Sequence, residues 1–149
     1  TYIYNNKEMI DIVSRTKRSE MMSGIKSRNT RPEKLLRSHL HSLGLRYRLN
    51  TKIFNFRPDV VLRKHRTAIF VHGCFWHRHK NCKIATVPKS NTDFWEKKFK
   101  QNVNRDKKNL EILMDSNWSA IIVWECAIRN GKAFDVDYRQ ILGQGIVEI

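Results

Sequence analysis

The chain has 149 residues, enough for one domain that buries its own core, and carries 29 Lys and Arg against 14 Asp and Glu, a net charge of +15. An excess of that size, spread along the whole sequence, selects a polyanionic partner; with no apolar run near the ~18 residues of a spanning helix and no signal-peptide pattern at the start, nucleic acid is expected ahead of a membrane. Three cysteines are an odd number, poorly suited to a disulfide framework and suited to thiols kept reduced in a cytosol.

Residues 1–15 have no clear period and read as a flexible N-terminal arm, leaving 16–149 as a single domain. A short helix is expected through "SEMMSGI", and a second through "NTRPEKLLRSHLHSLG", with Thr30 as N-cap, Pro32 in the first turn, leucines at 36, 40 and 43, and Gly44 as the stop. Leu45, Tyr47 and Leu49 alternate as a strand, and "RPDVVLR" and "TAIFVHG" read as two more strands joined by the polar turn "KHR". The segment from Gly73 to about Asn91 lacks a secondary-structure signal, which in a compact domain marks a functional loop or a disordered one. Thr92 then caps a long helix to about Asp115, "SAIIVWE" is a strand buried on both faces, and "DVDYRQIL" closes the chain as a short helix. The fold class is α/β, a mixed central sheet flanked by helices.

The loop opens with "HGCFWHRHKNC", which holds three histidines, two cysteines and two aromatics. A structural zinc site takes four tetrahedral ligands from Cys and His; Cys74, His79 and Cys82 supply three, and Cys126, after the last strand, supplies the fourth. The alternatives are that Cys126 is an ordinary core cysteine and that His77 competes as a ligand. A closed four-ligand zinc has no open position for water, so the chemistry must sit elsewhere.

Other residues stand out on their own chemistry. Asp59, entering a strand expected in the middle of the sheet, needs a cation such as Mg²⁺ unless it lies in a turn. His72 and His77 suit proton transfer and phosphate contact, imidazole being poised near neutral pH. Asp106 falls on the stripe 99, 103, 106, 110, 113, otherwise apolar, so its carboxylate faces the core and requires a partner, a structural Arg or Lys being one alternative. Glu33 completes a capping box with Thr30. Phe75 and Trp76, on a loop pinned by metal, cannot easily face the sheet core.

The segments "TKRSEMMSGIKSRNTRPEKLL", "RPDVV", "IFVHGCFWHRHKNC", "NVNRDKKN" and "IIVWECAIR", in this order, resemble the very-short-patch repair endonucleases of the Vsr family. The resemblance implies a restriction-endonuclease-like fold, a PD-(D/E)xK variant with an αβββαβ core, and an enzyme that nicks one strand of double-stranded DNA at T:G mismatches left by deaminated 5-methylcytosine. It implies that Asp59 is the central magnesium ligand, with Val71, where some relatives have Thr, contributing only its main chain. Histidines, His72 and His77, stand where related nucleases carry a lysine; Asp106 orients His77, and Glu33 acts near the metal through water. It further implies that Phe75 and Trp76 are wedges pushed beside the mismatch, with Met22, next to Met21, the wedge from the opposite groove. Such an enzyme is expected to be a cytoplasmic, nucleoid-associated bacterial monomer working with mismatch-repair proteins, and to use both Zn²⁺ and Mg²⁺. The rival readings are a restriction-type enzyme of the same fold cutting unmismatched DNA, and a zinc-stabilised DNA-binding module without catalysis.

Overall fold

A computed structural model of the chain describes residues 14–24 and 28–149; the expected arm therefore lies outside the described residues up to position 13, as does Ile25 of the expected first helix. Two compact units divide after Thr30. The first contains α1 (Arg15–Ser23), which starts four residues earlier than the sequence pattern indicates because Ser14 caps it, its hydroxyl accepting from the Lys17 amide at 3.2 Å. No residue of α1 is buried. Met21 is exposed and Met22 half-buried.

The second unit, Arg31–Ile149, opens with α2 (Arg31–Ser42). Leu36 and Leu40 are fully buried on its inner face. Gly44, at φ +76, ends it: the Leu45 amide donates to Leu40 and the Gly44 amide to His41, the paired bonds that satisfy a helix's last carbonyls when a glycine takes the left-handed position.

The sheet contains β1 (Val60–Leu62), β2 (Thr67–His72), β3 (Ser119–Trp124) and β4 (Ile146–Glu148), in that spatial order. β1 and β2 run antiparallel around a single 3₁₀ turn at Arg63–His65, closed by Arg66 in the left-handed region. The pairs β2–β3 and β3–β4 are parallel and need crossovers. The first crossover is the loop 73–91 followed by α3 (Thr92–Asp115); the second runs through α4 (Glu125–Arg129), a 3₁₀ turn and α5 (Tyr138–Ile141). Alternation along the strands divides the core. Val60, Leu62, Ile69, Ile121 and Val123 pack with α2 and Tyr138, whereas Val61, Ala68, Phe70 and Ala120 pack with Leu113 of α3. All six residues of β3 are buried, as its unbroken apolar run requires.

Four expectations change. The strand through 45–49 reduces to one bridge, Arg48 to Val61, because Asn50 turns into the left-handed region at once. Asp59 therefore enters the outer strand of the four instead of a central one. Thr92 does not cap α3: Asn91 holds the cap position at φ +51 without a side-chain bond, and Thr92 is the first helical residue. On α3 the inward stripe runs 99, 102, 106, 110, 113, with 106 and 110 half-buried; Val103 is 41 % exposed and Asn102 takes its place, since steps of three and four fit a 3.6-residue turn equally and Asn102 has a bonding partner inside. Helix α4 and strand β4 carry no clear sequence pattern, each being five residues or shorter. Among the described residues, no helix is long and apolar enough to cross a membrane.

Candidate active site

Strand β2 ends at His72, on the face that looks toward α3, and the chain then wraps back, the His77 amide donating to Gly73 and the His79 amide to Cys74. That turn lays the His77 ring on the His72 ring, centroids 3.9 Å apart and planes 6° from parallel. His77 Nδ1 lies 2.5 Å from Asp106 Oδ2, a hydrogen bond that spends the one acidic group on the inner stripe of α3. Arg105 reaches the other oxygen of Asp106 only at 3.9 Å. With Nδ1 committed, Nε2 is the nitrogen of His77 able to exchange a proton.

His72 is 6 % exposed, with Trp124 edge-on at 5.2 Å and Phe70 at 5.9 Å. Burial, then the charge of His77, pushes its pKa down to about 3, so it is neutral at working pH and offers an N–H, not a cation.

Asp59 sits immediately before β1 and reaches across to β2, its Oδ2 accepting from the Val71 amide at 2.7 Å. Burial lifts its pKa to about 6; the Val71 bond opposes that, Glu33 adds to it, and His77 and Arg37 oppose it weakly. Glu33 stands in the first turn of α2, so α2 and β1 bring two acids to one place. A half-buried carboxylate with a second acid nearby fits a hard divalent cation that keeps most of its waters. Asp59, His77, His72, Asp106, Val71 and Glu33, separated by up to 73 positions, are thereby linked by contact or by charge.

The thiols gather just beyond the same end of β2 and β3. The parallel register sets His72 beside Trp124, so two residues on Cys74 comes level with Cys126. Cys74, His79, Cys82 and Cys126 bring their ligand atoms within 4.8 Å of one another. His79 Nδ1 is 3.6 Å from Cys74 Sγ and 3.3 Å from Cys126 Sγ. A tetrahedral ion with ordinary Zn–S and Zn–N lengths has ligand-to-ligand edges of about 3.6–3.8 Å, so the spacing fits such an ion. The His79 ring is held flat on Trp124, centroids 4.1 Å apart. Burial pushes the Cys74 thiol up to about 12; such a group ionises only with a cation beside it. His77 does not join this group: its Nδ1 is taken by Asp106.

Phe75 and Trp76 are half-buried and pack at right angles, 5.2 Å apart. The start of α3 supports them: Trp95 lies 5.5 Å from Phe75 and 5.7 Å from Trp76, Phe99 5.1 Å from Phe75, and Phe94 is 62 % exposed beside Trp95. Asn102 Nδ2 donates to the Trp76 carbonyl at 3.2 Å. Trp95 and Asn102 were not legible as site residues. The signal for Trp95 is the run "FW" in the first turn of a helix whose inner face needs only one of the two; that for Asn102 is an amide on an apolar stripe. Met22 belongs to the first unit and is described there.

Comparison with known proteins places the chain in a family. The family described as DNA mismatch endonuclease Vsr matches residues 10–83. The type II nicking enzyme V.NmeAIP of Neisseria meningitidis serogroup A is 46% identical over 122 residues, covering 82% of this chain and 86% of that protein. The type II nicking enzyme V.XorIIP of Xanthomonas oryzae pv. oryzae is 41% identical over 134 residues, 90% of this chain and 98% of that one. DNA mismatch endonuclease Vsr of Escherichia coli is 41% identical over 121 residues, 81% and 77% respectively. Identity at these levels over four-fifths of the chain or more carries one conclusion: the chain belongs to the Vsr family of DNA endonucleases.

Proposed function

We propose that this protein nicks one strand of double-stranded DNA beside a T:G mismatch, by Mg²⁺-dependent phosphodiester hydrolysis, in very-short-patch repair of deaminated 5-methylcytosine. The observation that carries the reading is the bond between Asp106 and His77 Nδ1. A carboxylate is kept on a largely apolar helix face to hold one imidazole, and a protein that only binds DNA has no use for that arrangement. The relatives named as nicking enzymes support a cut in one strand, and the E. coli relative, named a mismatch endonuclease, supports the mismatch as target. The endonuclease is assigned to residues 16–149 as one domain of restriction-endonuclease-like fold, with 1–15 as an arm, acting as a monomer in the bacterial cytoplasm beside mismatch-repair proteins.

Asp59 and the main chain of Val71 would hold Mg²⁺, Glu33 acting through water. When bound, the ion supplies a counter-charge for the attacked phosphate and acidifies bound water. His77, oriented by Asp106, takes or gives the proton at Nε2. His72, neutral, buttresses His77 from below and presents an N–H to phosphate. Cys74, His79, Cys82 and Cys126 would hold a structural Zn²⁺ that anchors the loop, and Phe75 and Trp76 enter the stack beside the mismatch, where opening a base step is cheapest. Met22 is assigned the wedge role from the opposite groove.

The test is incubation with an end-labelled duplex panel, T:G against C:G in several methyltransferase target contexts, with and without Mg²⁺. Nicks in the T:G duplexes alone, dependent on Mg²⁺, are expected. Cleavage of both strands of matched DNA would instead make it a restriction-type enzyme, and binding without cleavage under every divalent ion would make it a binding module.

A further inference from the structure

Arg78 stands between His77 and His79, and neither the histidine pair nor the thiol group uses its side chain. Its backbone lies in the left-handed region, φ +55, a conformation that L side chains adopt rarely and that turns the guanidinium into its own loop. There Nη1 donates to the carbonyls of Phe75, at 3.2 Å, and Thr86, at 3.0 Å, and Nη2 donates to the carbonyl of Ala85 at 3.1 Å. The guanidinium carbon also lies 4.2 Å from the centre of the Phe99 ring and 5.8 Å from that of Phe75.

We infer that Arg78 is a positioning residue for mismatch selectivity: it ties Phe75 to the far arm of the loop and to α3, so that the aromatic wedge is ordered before DNA arrives. The inference rests on the wedge reading of Phe75 and Trp76 given above.

The thiol group fastens the loop only at 74, 79 and 82, which leaves both Phe75 and the segment 83–91 to other restraints. Asn102 holds the Trp76 carbonyl; Arg78 holds that of Phe75 and both neighbouring carbonyls on the opposite arm. A planar cation with several diverging N–H groups can span two arms and lie on an aromatic face at once, which a lysine ammonium cannot. Phe99 completes the brace, since the ring under the guanidinium also meets the Phe75 ring at 5.1 Å. A wedge that must be ordered during binding loses affinity through that ordering. The loss falls on stacking at the mismatch and not on phosphate contacts, which dominate binding to matched DNA.

The experiment uses the full chain without Mg²⁺ and duplexes carrying 2-aminopurine next to the T:G pair, whose fluorescence rises on unstacking. Arg78→Lys and Arg78→Gln are compared with the parent and with Phe75→Ala for fluorescence gain, T:G against C:G affinity, and salt dependence. Both Arg78 variants are expected to lose roughly tenfold in the affinity ratio, with a reduced fluorescence gain, at an unchanged salt slope. If Phe75→Ala loses selectivity while the Arg78 variants keep it, the Arg78 inference is wrong and the wedge stands. If Phe75→Ala itself keeps selectivity, the wedge reading falls and this inference with it. A salt slope lowered by about one would mean that Arg78 contacts phosphate, also overturning the positioning role. Should the variants not fold, the parent answers by nuclear magnetic resonance: separate, slowly exchanging Nη signals are expected for a guanidinium bound to three carbonyls, and a single averaged signal would overturn the inference.

Discussion

His72 and His77 form a face-to-face stack in which only His77 is bonded to a carboxylate, Asp106. Two adjacent imidazoles would otherwise compete for the same proton. Burial and the neighbouring charge keep His72 neutral, with its pKa near 3, and Asp106 distinguishes the other ring by fixing its Nδ1. The pair is thereby divided, in the proposed mechanism, into a support, His72, and a proton carrier, His77.

Asp106→Asn should slow single-turnover nicking on the order of 10²-fold, the usual contribution of a positioned acid or base. Combined with His77→Ala, it should add little beyond the worse single change, because groups acting as a unit are strongly non-additive. Rates for both singles and the double check this; fully multiplicative losses would mean that the two act separately.

Asp59 makes stability depend on pH. Its folded pKa, about 6, lies above the ordinary value of 3.8. Below that ordinary value both states are protonated and the group costs nothing. As pH rises toward 6 the unfolded chain ionises first, so the native state loses stability, and above about 6 the penalty is complete. In the absence of added divalent ions, Asp59→Asn should therefore raise the melting temperature at pH 7.5 and lose that advantage by pH 4, while nicking is abolished. The asparagine oxygen can still accept from Val71, so packing is retained. Melting curves of both proteins across that range test the sign.

Cys126→Ser should remove one ligand of a tetrahedral set and lower thermal stability more than it lowers the rate of the surviving folded fraction. One tightly held zinc per chain is expected to survive dialysis of the parent, whereas Mg²⁺ is expected to wash out and to be required again for nicking. Elemental analysis finding no zinc in folded parent protein would withdraw the assignment of these four side chains.

Phe75→Ala and Trp76→Ala should each reduce the preference for T:G over C:G without altering the salt dependence that the +15 charge produces. Equal losses on matched and mismatched duplexes, measured by fluorescence anisotropy at several salt concentrations, would count against stacking.

What the sequence determines by itself is whatever a local period or a residue's own chemistry encodes. The leucines and Gly44 define α2 to within a residue of its end, the apolar run 120–124 defines a doubly covered strand, and a lone Asp106 on an apolar stripe announces a partner on the inner side. Three thiols and a histidine announce, in the same way, a group able to hold a metal. Tertiary structure alone decides which of two histidines goes where. His77 and His79 are chemically identical and two positions apart, and spacing is silent between them. The wrap of the chain after β2 sends His77 toward α3 and Asp106, while the β2–β3 register draws Cys74 and Cys126 level and leaves His79 to fill the gap. The same holds for Asn102 over Val103, for β4, and for the collapse of the strand at 45–49 to one bridge. Asn102 and β4 are set by pairing between residues far apart in the chain, and a parallel register, made by a long crossover instead of a tight turn, has no local signature to read.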